Sequence, residues 1–128
     1  KPSPSWLIDG VEANVRGGRE AIERYIANDD LPSAIIFIND RLAIGGMVEL
    51  LRRGYRIPEQ VSLVGYDNNA ISEEIDPSLS TVDMRMEKII SRVVSLLEKQ
   101  ISGELSKPVE QRIEGQLLWR QSCTSPQA

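Results

Sequence analysis

Two short polar clusters stand where apolar runs stop, and their residue types suit recognition chemistry. Asn39-Asp40 closes the run Ala34-Ile35-Ile36-Phe37-Ile38, and Tyr66-Asp67-Asn68-Asn69 closes Val61-Ser62-Leu63-Val64-Gly65. Carboxylate and amide groups accept and donate hydrogen bonds, so the two clusters together could line a polar binding site. Each also has a structural alternative. A side-chain oxygen at Asn39 or Asp40 can cap free N–H groups of the following helix. Asp67, Asn68 and Asn69 can turn the chain into a short helical stretch over 70–75. A carboxylate site for magnesium has little support, because no phosphate-binding glycine loop accompanies the acidic residues. No metal or cofactor is expected.

What the chain lacks narrows the chemistry further. It has no histidine, which removes the commonest general base and metal ligand and every serine or cysteine nucleophile scheme that relies on one. The single cysteine, Cys123, excludes an intrachain disulfide and a cysteine-rich metal site. A Gly-x-Gly-x-x-Gly fingerprint is also missing. These absences argue against an enzyme with a flavodoxin-like fold, and no catalytic residue is expected. With a net charge of −4 and no run of lysines or arginines, this chain is not expected to grip DNA phosphates by itself. No apolar stretch approaches the roughly 20 residues that span a bilayer. Lys1-Pro2-Ser3-Pro4-Ser5 lacks the pattern of a signal peptide and is expected to be an extended segment entering an ordered region in mid-protein. An apolar content of 41% with 27% charged residues fits a soluble globular domain.

The elements that must position the clusters follow from periodicity. Ala34 to Ile38 predicts a strand buried on both faces, as in a parallel sheet covered by helices. A helix over 41–53 follows, and a second strand over 61–65 completes a βαβ unit with a parallel pair. Both clusters then lie at the carboxyl ends of neighbouring strands, where open α/β sheets bind ligands. Upstream, Trp6-Leu7-Ile8 reads as a short strand and 19–28 as a helix preceded by Gly17-Gly18. Asp29-Asp30-Leu31-Pro32 breaks that helix. Gly45-Gly46 costs roughly 1 kcal/mol per glycine inside its helix, which predicts a close backbone approach, here assigned to packing inside the monomer. Downstream come a brief strand over 79–82 and a long helix over 85–101. The stripe Met86, Ile89, Ile90, Val93, Val94, Leu96, Leu97 and Ile101 on that helix must be buried. The tail 109–122 alternates as a strand, with Trp119 assigned to the core, and 124–128 frays.

Three stretches carry a resemblance when taken in order. They are Phe37-Ile38-Asn39-Asp40-Arg41-Leu42-Ala43-Ile44-Gly45, Arg53 through Asn68 with its Ile57-Pro58-Glu59-Gln60-Val61-Ser62-Leu63-Val64-Gly65-Tyr66-Asp67 run, and Pro77-Ser78-Leu79-Ser80-Thr81-Val82. With the ending Leu118-Trp119-Arg120-Gln121-Ser122 they closely resemble the lactose-repressor/galactose-repressor family of bacterial transcription regulators. The resemblance implies an α/β, type I periplasmic-binding-protein-like fold with a parallel sheet and flanking helices, truncated here. Residues 1–128 would be the C-terminal portion of an effector-binding and dimerisation core. Within it, about 6–68 and 109–122 would form the C-terminal subdomain and about 70–103 would return to an N-terminal subdomain lying upstream. The helix-turn-helix DNA-binding domain of that family would lie upstream of Lys1 and so be absent from these 128 residues.

By the same resemblance, Asp40 would hydrogen-bond a small-molecule effector, a sugar or sugar derivative, with Asn39 a weaker contact or a cap. Tyr66 and Asp67 would lie in the cleft or hinge. Ala13 stands where many members place an aromatic that stacks on the effector, a departure that puts a usual sugar in doubt. Arg41 is also unusual after the aspartate and reads as a surface residue, a partner of Asp40 or a lure for an anionic ligand. The implied partners are the effector, a second copy through the helices over 19–28 and 42–53, and DNA only through the missing domain, with a cytoplasmic location. The alternative is a periplasmic solute-binding protein of a transport system, which shares the fold.

Overall fold

A computed structural model describes residues 6–29 and 31–125. Its elements are α1 (Val15–Ala27), β1 (Ala34–Ile36), α2 (Asp40–Arg52), β2 (Ser62–Tyr66), α3 (Ile71–Glu74), β3 (Ser80–Asp83), α4 (Met86–Ile101) and β4 (Gln116–Leu118). The strands form one sheet in the order β1-β2-β3-β4. β1 pairs parallel with β2, β2 pairs parallel with β3, and β4 returns antiparallel to β3. The predicted parallel β1–α2–β2 unit is present, so the two polar clusters leave the same edge of the sheet.

One face of this sheet is covered by α1 and α2. Ile22 and Tyr25 of α1 and Leu42, Ala43, Met47 and Leu50 of α2 pack with Ile35, Phe37, Leu63 and Leu79 into the core. α1 starts earlier than periodicity predicts, because Asn14 caps it: its side chain accepts a hydrogen bond from the Gly17 N–H at 3.0 Å. Gly17 and Gly18 therefore lie inside the helix, and their role is close packing. A Cβ at Gly18 would stand 1.9 Å from the Leu42 carbonyl oxygen, and one at Gly45 would stand 2.0 Å from that of Val15. The helical glycines let two backbones touch within one chain, as assigned for Gly45-Gly46.

Several expectations are corrected. β1 is buried on one face only: Ile36 is 81% exposed and Ile38 75%, because among the described residues no element covers the second face. On that face Ala34, Ile36, Val64 and Trp119 line an open groove of about 430 Å³. Trp119 is 70% exposed and is not a core residue. Trp6-Leu7-Ile8 forms no strand, and the tail strand shrinks to β4. α4 ends as expected before Gly103, whose φ is +79°, yet it has no buried residue. Its stripe, Met86, Ile90, Val93, Val94, Leu97 and Ile101, is exposed. The expectations for Lys1 to Ser5, for Asp30 and for 126–128 lie outside the described residues.

Candidate functional site

The edge where β1, β2 and β3 end is assembled from short loops. Asn39, in extended backbone, caps α2: its Oδ1 accepts from the Leu42 N–H at 2.8 Å, and its Nδ2 donates to the Ala13 carbonyl at 3.2 Å. Of the two candidate caps, Asn39 does the capping. Asp40 is then free for a different task.

The Asp40 carboxylate is fully buried. A buried charge is costly unless it is hydrogen-bonded, and three donors meet it. Thr81 Oγ1 donates to Oδ1 at 2.6 Å, while Ser72 Oγ at 2.7 Å and the Asn69 N–H at 2.6 Å donate to Oδ2. The positive end of the α2 dipole adds to this stabilisation. One carboxylate thereby ties α2 to β3, to α3 and to the loop after β2. Room for it comes from Gly65, since a Cβ there would lie 2.2 Å from Oδ1. In this arrangement all of Asp40's hydrogen bonds go to the chain itself. Arg41 is exposed and forms no ion pair with Asp40 among the described residues.

Of the expected site residues Tyr66 and Asp67 are the exposed ones, while Asn39 is half-buried and Asp40 buried. Asp67 has φ +111° and Asn68 φ +53°, so two consecutive non-glycine residues occupy the left-handed region. The Asp67 carboxyl is held above its ordinary value, first by partial burial and then by the nearby negative charge of Asp40. Asp67, Asn68 and Asp83 border one open depression of about 510 Å³ together with Arg85 and Gln116. Among the described residues no group of three or more acidic or cysteine side chains could hold a metal ion.

Four supporting residues escaped the reading of motifs. Thr81 and Ser72 serve Asp40. Arg120 is largely buried and donates to the Leu79 carbonyl and to Asn68 Oδ1, each at 2.9 Å. Ser122 bridges β2 and β3, with Oγ donating to the Leu63 carbonyl at 2.7 Å and accepting from the Ser80 N–H at 2.8 Å. Arg120 and Ser122 stood in the quoted terminal segment, but nothing in their spacing revealed partners so far away in the chain.

Comparison with known proteins decides what this edge belongs to. The sequence profile of the periplasmic binding protein-like domain matches residues 5–123. The chain belongs to the periplasmic binding protein-like domain family. Curated relatives of this domain include the HTH-type transcriptional repressor PurR of Pasteurella multocida, 30% identical over 98% of this chain and 37% of the relative. A sugar-binding transcriptional regulator of the LacI family from Escherichia coli, solved with phosphate, superposes with a TM-score of 0.87 at 30% identity, over 98% of this chain and 45% of that one. A LacI family regulator from Arthrobacter sp. FB24, solved with lactose, gives 0.83 at 25% identity over 89% and 43%. The resemblance to lactose-repressor-type regulators is thus borne out, and these relatives are regulators, not enzymes. The chain spans about 37% of the length of the PurR relative.

Proposed function

We propose that this periplasmic binding protein-like domain is the C-terminal part of the effector-sensing core of a longer, sequence-specific transcription regulator. The observation that carries the reading is the polar edge at the ends of β1, β2 and β3, in a chain whose relatives are LacI-type regulators. Tyr66 and Asp67 face the effector. Asn39 and Asp40 hold the frame behind them, and Asp40 meets the effector only by exchanging one of its internal donors. The effector is a sugar or sugar derivative, the class met by the lactose-bound relative. Residues 6–68 and 109–122 belong to one subdomain, and the expected boundary at 70 is corrected: β3 pairs with β2 and β4 and Leu79 sits in the same core, so only the segment after β3, with the uncovered α4, returns to the other subdomain. A second copy packs against α1 and α2, where Val15, Val48 and Leu51 are exposed. DNA is held by an N-terminal helix-turn-helix, which places the regulator in the cytoplasm.

The effector changes operator affinity only if it binds the two arrangements of the subdomains unequally. Fluorescence anisotropy of the longer regulator on its operator, with and without a panel of sugars and sugar phosphates, tests this. One compound is expected to shift the operator Kd by about 5-fold to 150-fold. A compound that binds while leaving operator affinity unchanged favours the transport reading instead.

A further inference from the structure

We propose that Arg120 is a latch, a positioning residue that holds the β2–α3 turn in its left-handed backbone geometry from the C-terminal tail. The inference deepens the sensing role, since it rests on that reading for Asp67 as the residue that faces the effector. Its geometry stands independently. Asp67 and Asn68 both have positive φ, a conformation that non-glycine residues seldom adopt and that persists only where the surroundings dictate it.

The surroundings here are a closed ring of hydrogen bonds. The Asp67 N–H reaches the Val82 carbonyl at 3.0 Å. The Asn68 N–H reaches Thr81 Oγ1 at 3.3 Å, and the same hydroxyl donates to Asp40. The Asn69 N–H is taken by Asp40. These bonds fix the backbone on one side of the turn. The Asn68 side chain is fixed from the other side, by Arg120 alone among the described residues. Arg120 cannot follow the turn if it moves. Its other terminal nitrogen is on the Leu79 carbonyl, and its own N–H is on Ser80 Oγ at 2.9 Å. The guanidinium therefore joins the start of β3 to the turn after β2 through one rigid planar fork. Glu73, 3.6 Å from the guanidinium, is 79% exposed and adds only a screened attraction. The tail 116–123 thereby sets the backbone that presents Asp67 at the sheet edge.

The test is amide hydrogen exchange on the 128-residue chain, which uses neither effector nor DNA. Its failure is therefore distinct from failure of the sensing role. Arg120→Met keeps the apolar stem and removes the donors. Exchange at the Asp67 and Asn69 amides is expected to rise about tenfold or more, the scale of a lost hydrogen bond to a charged group. The Ala43 and Phe37 amides, bonded to the Asn39 and Val64 carbonyls, report whether the core stays folded. Asn68→Gly accepts the left-handed backbone freely and lacks the acceptor, so adding Arg120→Met to it should change those two amides by less than about twofold. Asn68→Asp keeps an acceptor and should retain the protection. An equal rise from Arg120→Met in the Asn68 and Asn68→Gly backgrounds, or no rise in either, overturns the latch. Loss of protection at Ala43 and Phe37 alongside the turn also overturns it, because Arg120 would then be a general support.

Discussion

Ser122 occupies the point where β2 and β3 part, and one hydroxyl satisfies both. Its Oγ accepts from the Ser80 N–H and donates to the Leu63 carbonyl, while its own N–H and C=O bond Ser78 and Leu63. Ser122→Ala leaves the buried Ser80 N–H without its acceptor and the Leu63 carbonyl with only the weak Cys123 thiol donor at 3.1 Å. We expect a loss of about 1–3 kcal/mol in urea unfolding, and an unchanged midpoint would show that water replaces the hydroxyl. Asp40→Asn should cost more, at least about 2 kcal/mol, because an amide NH₂ would point at a donor where a charged acceptor now receives three bonds. Asp40 was legible as an effector contact or a helix cap, whereas Asn39 takes the cap and the Asp40 side chain anchors the edge. Its partners were illegible because Ser72 and Thr81 lie 32 and 41 residues away, and no local pattern encodes such a meeting.

At the scale of elements, α2 carries a second buried acid. Glu49 is fully buried and bonds Arg52 and Arg53 on its own helix, and Arg19 on α1 at 3.4 Å. The Arg52 hydrogen bond, more than burial opposes it, holds the Glu49 carboxyl down at about 2 instead of 4.5. A carboxyl lowered on folding contributes stability that is fully present above its unfolded value and is lost as protons return. Stability should therefore fall between about pH 4.5 and pH 2, and the Glu49→Gln variant should lack that part of the slope in unfolding titrations. The arginines are half-exposed, which keeps the effect modest. An identical slope in both proteins would assign the acid sensitivity elsewhere. The contact of α1 with α2 is backbone against backbone, so Gly45→Ala should destabilise by about 1–3 kcal/mol through overpacking, read by thermal unfolding. Helix and strand periods were legible in the sequence. The start of α1 was not, since Gly17-Gly18 looked like punctuation and serves packing instead.

Across the whole molecule, one face of the sheet and all of α4 lack cover among the described residues. Periodicity identified the α4 stripe but could not say which body covers it, because a stripe specifies burial without specifying the partner. Large apolar patches rarely persist on soluble monomers. The isolated 128-residue chain is expected to sediment above monomer mass through the Met86 to Ile101 stripe, and Val93→Glu with Leu97→Glu should return it towards monomer. A compact monomer without those changes would contradict this.

The central claim is that the strand-end edge faces an effector through Tyr66 and Asp67. Isothermal titration of the longer regulator against sugars, sugar phosphates and nucleosides tests it most directly, with Tyr66→Ala and Asp67→Asn beside the unaltered protein. The account predicts that one compound binds and that Asp67→Asn weakens it by roughly 1.5–3 kcal/mol, the scale of a hydrogen bond to a charged group, with the unfolding midpoint unchanged. A compound that binds all three proteins equally well would contradict it.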